Sequence, residues 1–136
     1  MQMASVEWIS GQKFLGVSPS GHGLLMDADG KSNTAANPME MLLVALGGCT
    51  ASDMVTILEK KRQKLESLVV ECSGERAAEP PRVWVKLDVV FRLRGTLDEQ
   101  AVKHALELTK EKYCSVAAML EKTAPISWRY EIVLTK

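Results

Sequence analysis

The stretch Asn37-Pro38-Met39-Glu40-Met41-Leu42-Leu43-Val44-Ala45-Leu46-Gly47-Gly48-Cys49-Thr50 decides how this chain folds. Asn37 is a strong N-cap, Pro38 sits at the first helical position, and Glu40 falls at N3, where its carboxylate can return to the Asn37 N–H. A helix is therefore predicted from Asn37 to about Arg62, where Glu59, Lys60, Lys61 and Arg62 restore polarity. From Met41 to Ser52 there is no charge, and Met41–Ala45 is apolar on every side. Such a helix is expected to be buried all round, and its twelve uncharged residues are too few to span a bilayer. No membrane partner is expected.

Outward from this helix the patterns alternate. Upstream, short strands are expected around residues 3–9 (Val6, Trp8), from Phe14 to Val17, and over Leu24, Leu25 and Met26, with turns at Gly11-Gln12 and Pro19-Ser20-Gly21. Ala28–Ala36 is polar and glycine-containing, a loop. Downstream, Leu68, Val70 and Cys72 share one strand face. After the Pro80-Pro81 turn, Val83, Val85, Leu87, Val89, Phe91 and Leu93 alternate with Trp84, Lys86, Asp88, Val90, Arg92 and Arg94, a strong period of two. Thr96-Leu97-Asp98-Glu99 reads as a capping box for a second helix with Leu97, Ala101, Ala105 and Leu108 on its apolar face. Tyr113-Cys114-Ser115 interrupts that helix, with Ser115 capping a short further one through Leu120. Beyond Pro125, Ile126, Trp128, Tyr130, Ile132 and Leu134 define a last strand.

The order is βββ-α-ββ-α(α)-β in one α+β domain, residues 1–136. One sheet covers only one face of the central helix, so a second copy of the chain is expected to cover the rest, giving an obligate homodimer around Asn37–Arg62.

Seventeen cations balance seventeen anions, and the sole basic run is Lys60-Lys61-Arg62. Nucleic-acid binding, which needs a basic footprint, is disfavoured. Met1–Trp8 has neither a basic nor an apolar leader character, so a cytoplasmic location is expected. There is no P-loop or dinucleotide fingerprint, and no cofactor is expected. Neither His22 nor His104 has metal-ligand spacing with the cysteines, so no metal is expected. Three widely spaced cysteines do not form a disulfide framework. Cys72 reads as strand core. Cys49 is either a small core residue or a reactive thiol. Cys114, where a helix restarts, is either a capping residue or a thiol that the helix dipole favours as thiolate.

Asn37-Pro38-Met39-Glu40-Met41-Leu42-Leu43 leading to Gly47-Gly48-Cys49, together with Glu111-Lys112-Tyr113-Cys114-Ser115-Val116, resembles the OsmC/Ohr family, in particular its YhfA-like branch. The resemblance covers essentially the whole chain. It implies an OsmC-like fold, an intertwined homodimer with the buried helix at its centre, and thiol-dependent reduction of organic hydroperoxides. On that resemblance Cys49 is the peroxidatic residue and Cys114 the resolving one, their disulfide being reduced by a dithiol such as dihydrolipoamide. The sequence departs from the peroxidases at two points. Met39 stands where they carry a glutamate, with Glu40 one residue further on, and no arginine precedes Arg62, leaving Lys31 as the best-placed cation. Asp53, one turn after Cys49, is expected to raise the thiol's pKa. The alternative reading is a non-catalytic relative that binds a small apolar ligand or senses oxidants through the same thiols.

Overall fold

The computed structural model describes residues 1–133. The chain forms two compact units, the first Met1–Leu42 and the second from Leu43 onward.

In the first unit, β1 (Ser5–Ser10), β2 (Lys13–Val17) and β3 (Gly23–Asp27) form an antiparallel meander. Asp27 organises the loop that follows. Its carboxylate accepts from the Thr34 hydroxyl at 2.6 Å and from the backbone N–H groups of Asp29 and Thr34. The Thr34 hydroxyl, followed by the other donors, holds the Asp27 pKa below its ordinary value. His22 contacts Ser20 through Nδ1 within this unit. Helix α1 (Pro38–Lys60) begins here and carries the full capping box: Glu40 N–H donates to Asn37 Oδ1 at 2.8 Å, and Asn37 N–H to Glu40 Oε2 at 3.0 Å.

The second unit holds β4 (Lys64–Arg76), β5 (Trp84–Thr96), α2 (Glu99–Leu108), a single π turn (Thr109–Tyr113), α3 (Ser115–Leu120) and β6 (Ile126–Val133). Strand β5 lies between β4, antiparallel, and β6, parallel. Leu87, Val89, Phe91 and Leu93 project from β5 onto Leu46, Met54, Ile57 and Leu58 of α1 and Val102 and Ala105 of α2, forming the core. Phe91 stacks on Trp128 across β5 and β6, with ring centroids 6.2 Å apart. The element order matches the expected one.

Several details differ from the sequence reading. α1 is not buried all round: Leu46, Thr50, Met54, Ile57 and Leu58 form one buried stripe, while Val44 is 70% exposed. The sheet meets a single face of the helix. At 23 residues, α1 is also long and apolar enough by length and composition to cross a membrane, although its buried stripe packs as a core helix does. It ends in a left-handed residue, Arg62 (φ 58°), with Gln63 N–H bonded to the Leu58 carbonyl and Arg62 N–H to that of Glu59, a Schellman ending.

On β5 the alternation breaks at its start. A register shift between Glu75 and Arg76 pairs Arg76 with Trp84, so Trp84 packs on the core while Val83 and Val85 are exposed. The cap of α2 is Asp98, whose side chain accepts from Gln100 N–H; Thr96 belongs to β5, and Glu99 accepts the Tyr130 hydroxyl at 2.9 Å. β6 alternates as expected through Val133, and Leu134 lies outside the described residues.

Candidate active site

Cys49 and Cys114 reach one place by different routes. Cys49 stands on α1 beside the buried Thr50, whose hydroxyl is satisfied by bonding back to the Leu46 and Gly47 carbonyls. Cys114 sits in the break between the π turn and α3. Its N–H reaches back five residues to the Thr109 carbonyl, and its backbone then turns extended (φ −75°, ψ 102°). Thr109, fully buried, is tied by its hydroxyl to the Ala105 carbonyl at 2.9 Å. This irregular turn carries Cys114 off the line of α2 and into the core, where it is only 3% exposed. Cys114 itself, and not Ser115, caps α3: its sulfur accepts the Ala117 N–H at 3.3 Å.

Cys49 Sγ, Cys114 Sγ and a carboxylate oxygen of Asp53 all lie within 4.8 Å of one another. Ser115 Oγ is 3.9 Å from Cys49 Sγ. The two thiols sit in opposite electrostatic environments. Burial pushes Cys49 upward. The Val116 backbone N–H, the Cys114 thiol and the Ser115 hydroxyl outweigh that, leaving Cys49 below its ordinary value, with the Asp53 charge opposing. For Cys114 burial dominates, and the thiol is pushed up to about 12 even though the Ala117 N–H favours its thiolate. Asp53 is raised by burial, and its Oδ2 is enclosed with no hydrogen-bond partner among the described residues.

The helix restart therefore lowers Cys49 and not Cys114, and of the two readings of Cys114 the geometry fits the capping one. Sequence reasoning looked for a cation to lower Cys49. The structure supplies neutral donors from the first turn of α3, a contribution that no residue-type search reveals.

The remaining candidates are placed as follows. Glu40 occupies the capping box, and Lys31 lies in the first unit's loop with its N–H bonded to Asp29 Oδ1. Cys72 packs against the core on β4, its pKa pushed to about 11 by burial. His104 is exposed on α2. A Cβ on Gly47 would come 3.4 Å from Cys72 Sγ, whereas Gly48 has open space where its Cβ would be. A cavity of about 280 Å³ adjoins the site, with Asp53, Ile57, Leu108 and Tyr113 among its walls.

The family model described as OsmC-like protein matches residues 29–129, most of the chain and both cysteines. The chain belongs to the OsmC-like protein family. It is 46% identical over 131 residues to protein YhfA of Escherichia coli K12, covering 96% of this chain and 97% of that one. Among solved structures, a hypothetical protein from Aquifex aeolicus VF5 superposes with a TM-score of 0.89 at 28% identity, covering 100% of this chain and 98% of the other. An organic hydroperoxide resistance protein from Elizabethkingia anophelis has the same fold, with a TM-score of 0.71 at 12% identity over 96% and 94% of the two chains.

Proposed function

We propose that this protein reduces organic hydroperoxides with Cys49 and Cys114. The observation that carries the reading is the pairing of a half-buried thiol held below its ordinary pKa with a buried thiol pushed up to about 12, their sulfurs within 4.8 Å. One sulfur is prepared as nucleophile while the other is kept protonated until it is needed. The Cys49 thiolate attacks the terminal peroxide oxygen, the O–O bond breaks, and the alkoxide leaves as alcohol after gaining a proton. Cys49 is now a sulfenic acid. Cys114 loses its proton and attacks that sulfur, water departs, and the intramolecular disulfide remains for a dithiol such as dihydrolipoamide to reduce by exchange. The apolar walls of the adjoining cavity, Ile57, Leu108 and Tyr113, suit an alkyl or aryl substituent. Resistance to organic hydroperoxides, named for the Elizabethkingia relative, supports the substrate class.

The working form in this proposal is a cytoplasmic homodimer. Val44 and Leu42 are exposed on α1, a Cβ at Gly48 would meet open space among the described residues, and a groove formed by Leu43, Val44, Gly47, Gly48, Ala51, Val70 and Cys72 runs along the same face. A second copy laid there would remove this apolar surface from water and give the helical glycine pair a close neighbour. Lys31 and Glu40, which stand nearest to the arginine and glutamate that the resemblance implies and the sequence lacks, have no step in the proposed reaction, and the Glu40 carboxylate is committed to the cap.

The deciding experiment measures turnover of tert-butyl hydroperoxide with dihydrolipoamide. Wild type turns over, Cys49→Ser falls to the uncatalysed rate, and Cys114→Ser reacts once and stops. Equal rates for wild type and Cys49→Ser would sink the proposal.

A further inference from the structure

Asp53 has no task in the reaction proposed above and works against the Cys49 thiolate. Its Oδ2 is nevertheless enclosed without a hydrogen-bond partner among the described residues, a costly arrangement unless something binds it. The two cysteines beside it are the softest ligands a protein offers. Cys49 and Asp53, four residues apart, stand one turn apart on the same face of α1, the spacing at which two helical side chains can grip one ion. Cys114 comes in from the end of the π turn as a third, buried donor, and the three ligand atoms lie within 4.8 Å of one another.

From this geometry we propose that reduced Cys49, Asp53 and Cys114 bind a thiophilic divalent cation of the zinc type, with a fourth position open to water. A tetrahedral zinc with Zn–S of about 2.3 Å and Zn–O of about 2.0–2.2 Å spaces its donors roughly 3.5–3.8 Å apart. The cluster, its ligand atoms within 4.8 Å of one another, therefore needs to contract by about 1.3 Å at most, within reach of side-chain rotation. Two thiolates and one carboxylate select zinc or cadmium over the hard, oxygen-seeking magnesium and calcium. A search centred on histidine spacing passes this site by, since the ligands are Cys-x3-Asp on one helix and a cysteine from elsewhere. Cation and disulfide exclude each other, because the same two sulfurs serve both. A bound cation would thus protect the pair from peroxide, and oxidation would release it. The inference does not depend on hydroperoxide turnover: a protein inactive as a peroxidase can still bind the ion.

The test titrates the full chain, kept reduced with a phosphine, first with Co²⁺ and then with Zn²⁺. The expected result is one Co²⁺ per chain with a thiolate-to-cobalt charge-transfer band that Zn²⁺ bleaches. Cys49→Ser and Cys114→Ser lose the band, Cys72→Ser keeps it, and the near-isosteric Asp53→Asn weakens binding by about tenfold or more. Circular dichroism of each variant verifies folding. No band in the folded wild type overturns the proposal outright. So does a band that vanishes with Cys72→Ser, or one whose affinity Asp53→Asn leaves unchanged.

Discussion

Along α1, Leu46, Met54 and Leu58 have no solvent exposure, whereas Val44, in the same uncharged run as Leu46, is 70% exposed. The two faces are almost equally apolar. The inner one meets β5 and α2 within its own chain, while on the outer one a groove is left open between α1 and β4. Composition alone assigns both to an interior, and the structure divides them into the interior of a chain and, on the proposal above, the interior of a dimer.

The sharpest way to break this comparison is to damage each face separately. Leu58→Ala empties a closed part of the core and should lower unfolding free energy by about 2–5 kcal/mol, read from denaturant midpoints that shift equally at high and low protein concentration. Val44→Glu should act through association instead. Wild type is expected to sediment near twice 15.0 kDa, and the variant to dissociate or to lose stability in proportion to dilution. A wild type that sediments as a folded single chain would leave the outer face unexplained and remove the dimer.

A second contrast lies between the two thiols. The Cys49 pKa is lowered and that of Cys114 raised, so Cys49 should alkylate first as pH rises, and Cys114 should resist until strongly alkaline conditions. The Asp53 charge raises the Cys49 pKa, so Asp53→Asn should move the Cys49 alkylation profile to lower pH, measured in a Cys72→Ser, Cys114→Ser background free of metal. An unmoved profile would mean that Asp53 is held uncharged. The smallest expected effect is at the end of α1, where Arg62 holds a left-handed conformation that suits glycine. Arg62→Gly should stabilise by about 1 kcal/mol or less in thermal unfolding.

Much of the fold was legible because it was written in local chemistry. Asn37 and Glu40 announced the start of α1, and the period of two fixed β5 and β6. What stayed hidden depended on partners far along the chain. The register shift that turns Trp84 inward involves Glu75 and Arg76 on another strand. The exposure of Val44 depends on where the sheet lies. At the site, the sequence points to both cysteines and sets Asp53 one turn from Cys49 alone. Their meeting came from the family resemblance, and the choice of Cys49 as the low-pKa thiol required the Val116 N–H and Cys114 to be in place. Thr96 was mistaken for the cap of α2 because either Thr96 or Asp98 can supply a capping oxygen, and only the end of β5 decides between them.

The sulfur of Cys114 also closes the first turn of α3, and this governs which replacement isolates its chemistry. Alanine removes the thiol and the acceptor together and strands the Ala117 N–H in the interior, so any loss it causes mixes broken architecture with missing redox capacity. Serine presents an oxygen one bond from Cβ, able to accept the same N–H after a small adjustment. Cys114→Ser is therefore the clean deletion, and the difference between the two variants measures how much a cysteine is worth to this protein simply as a latch.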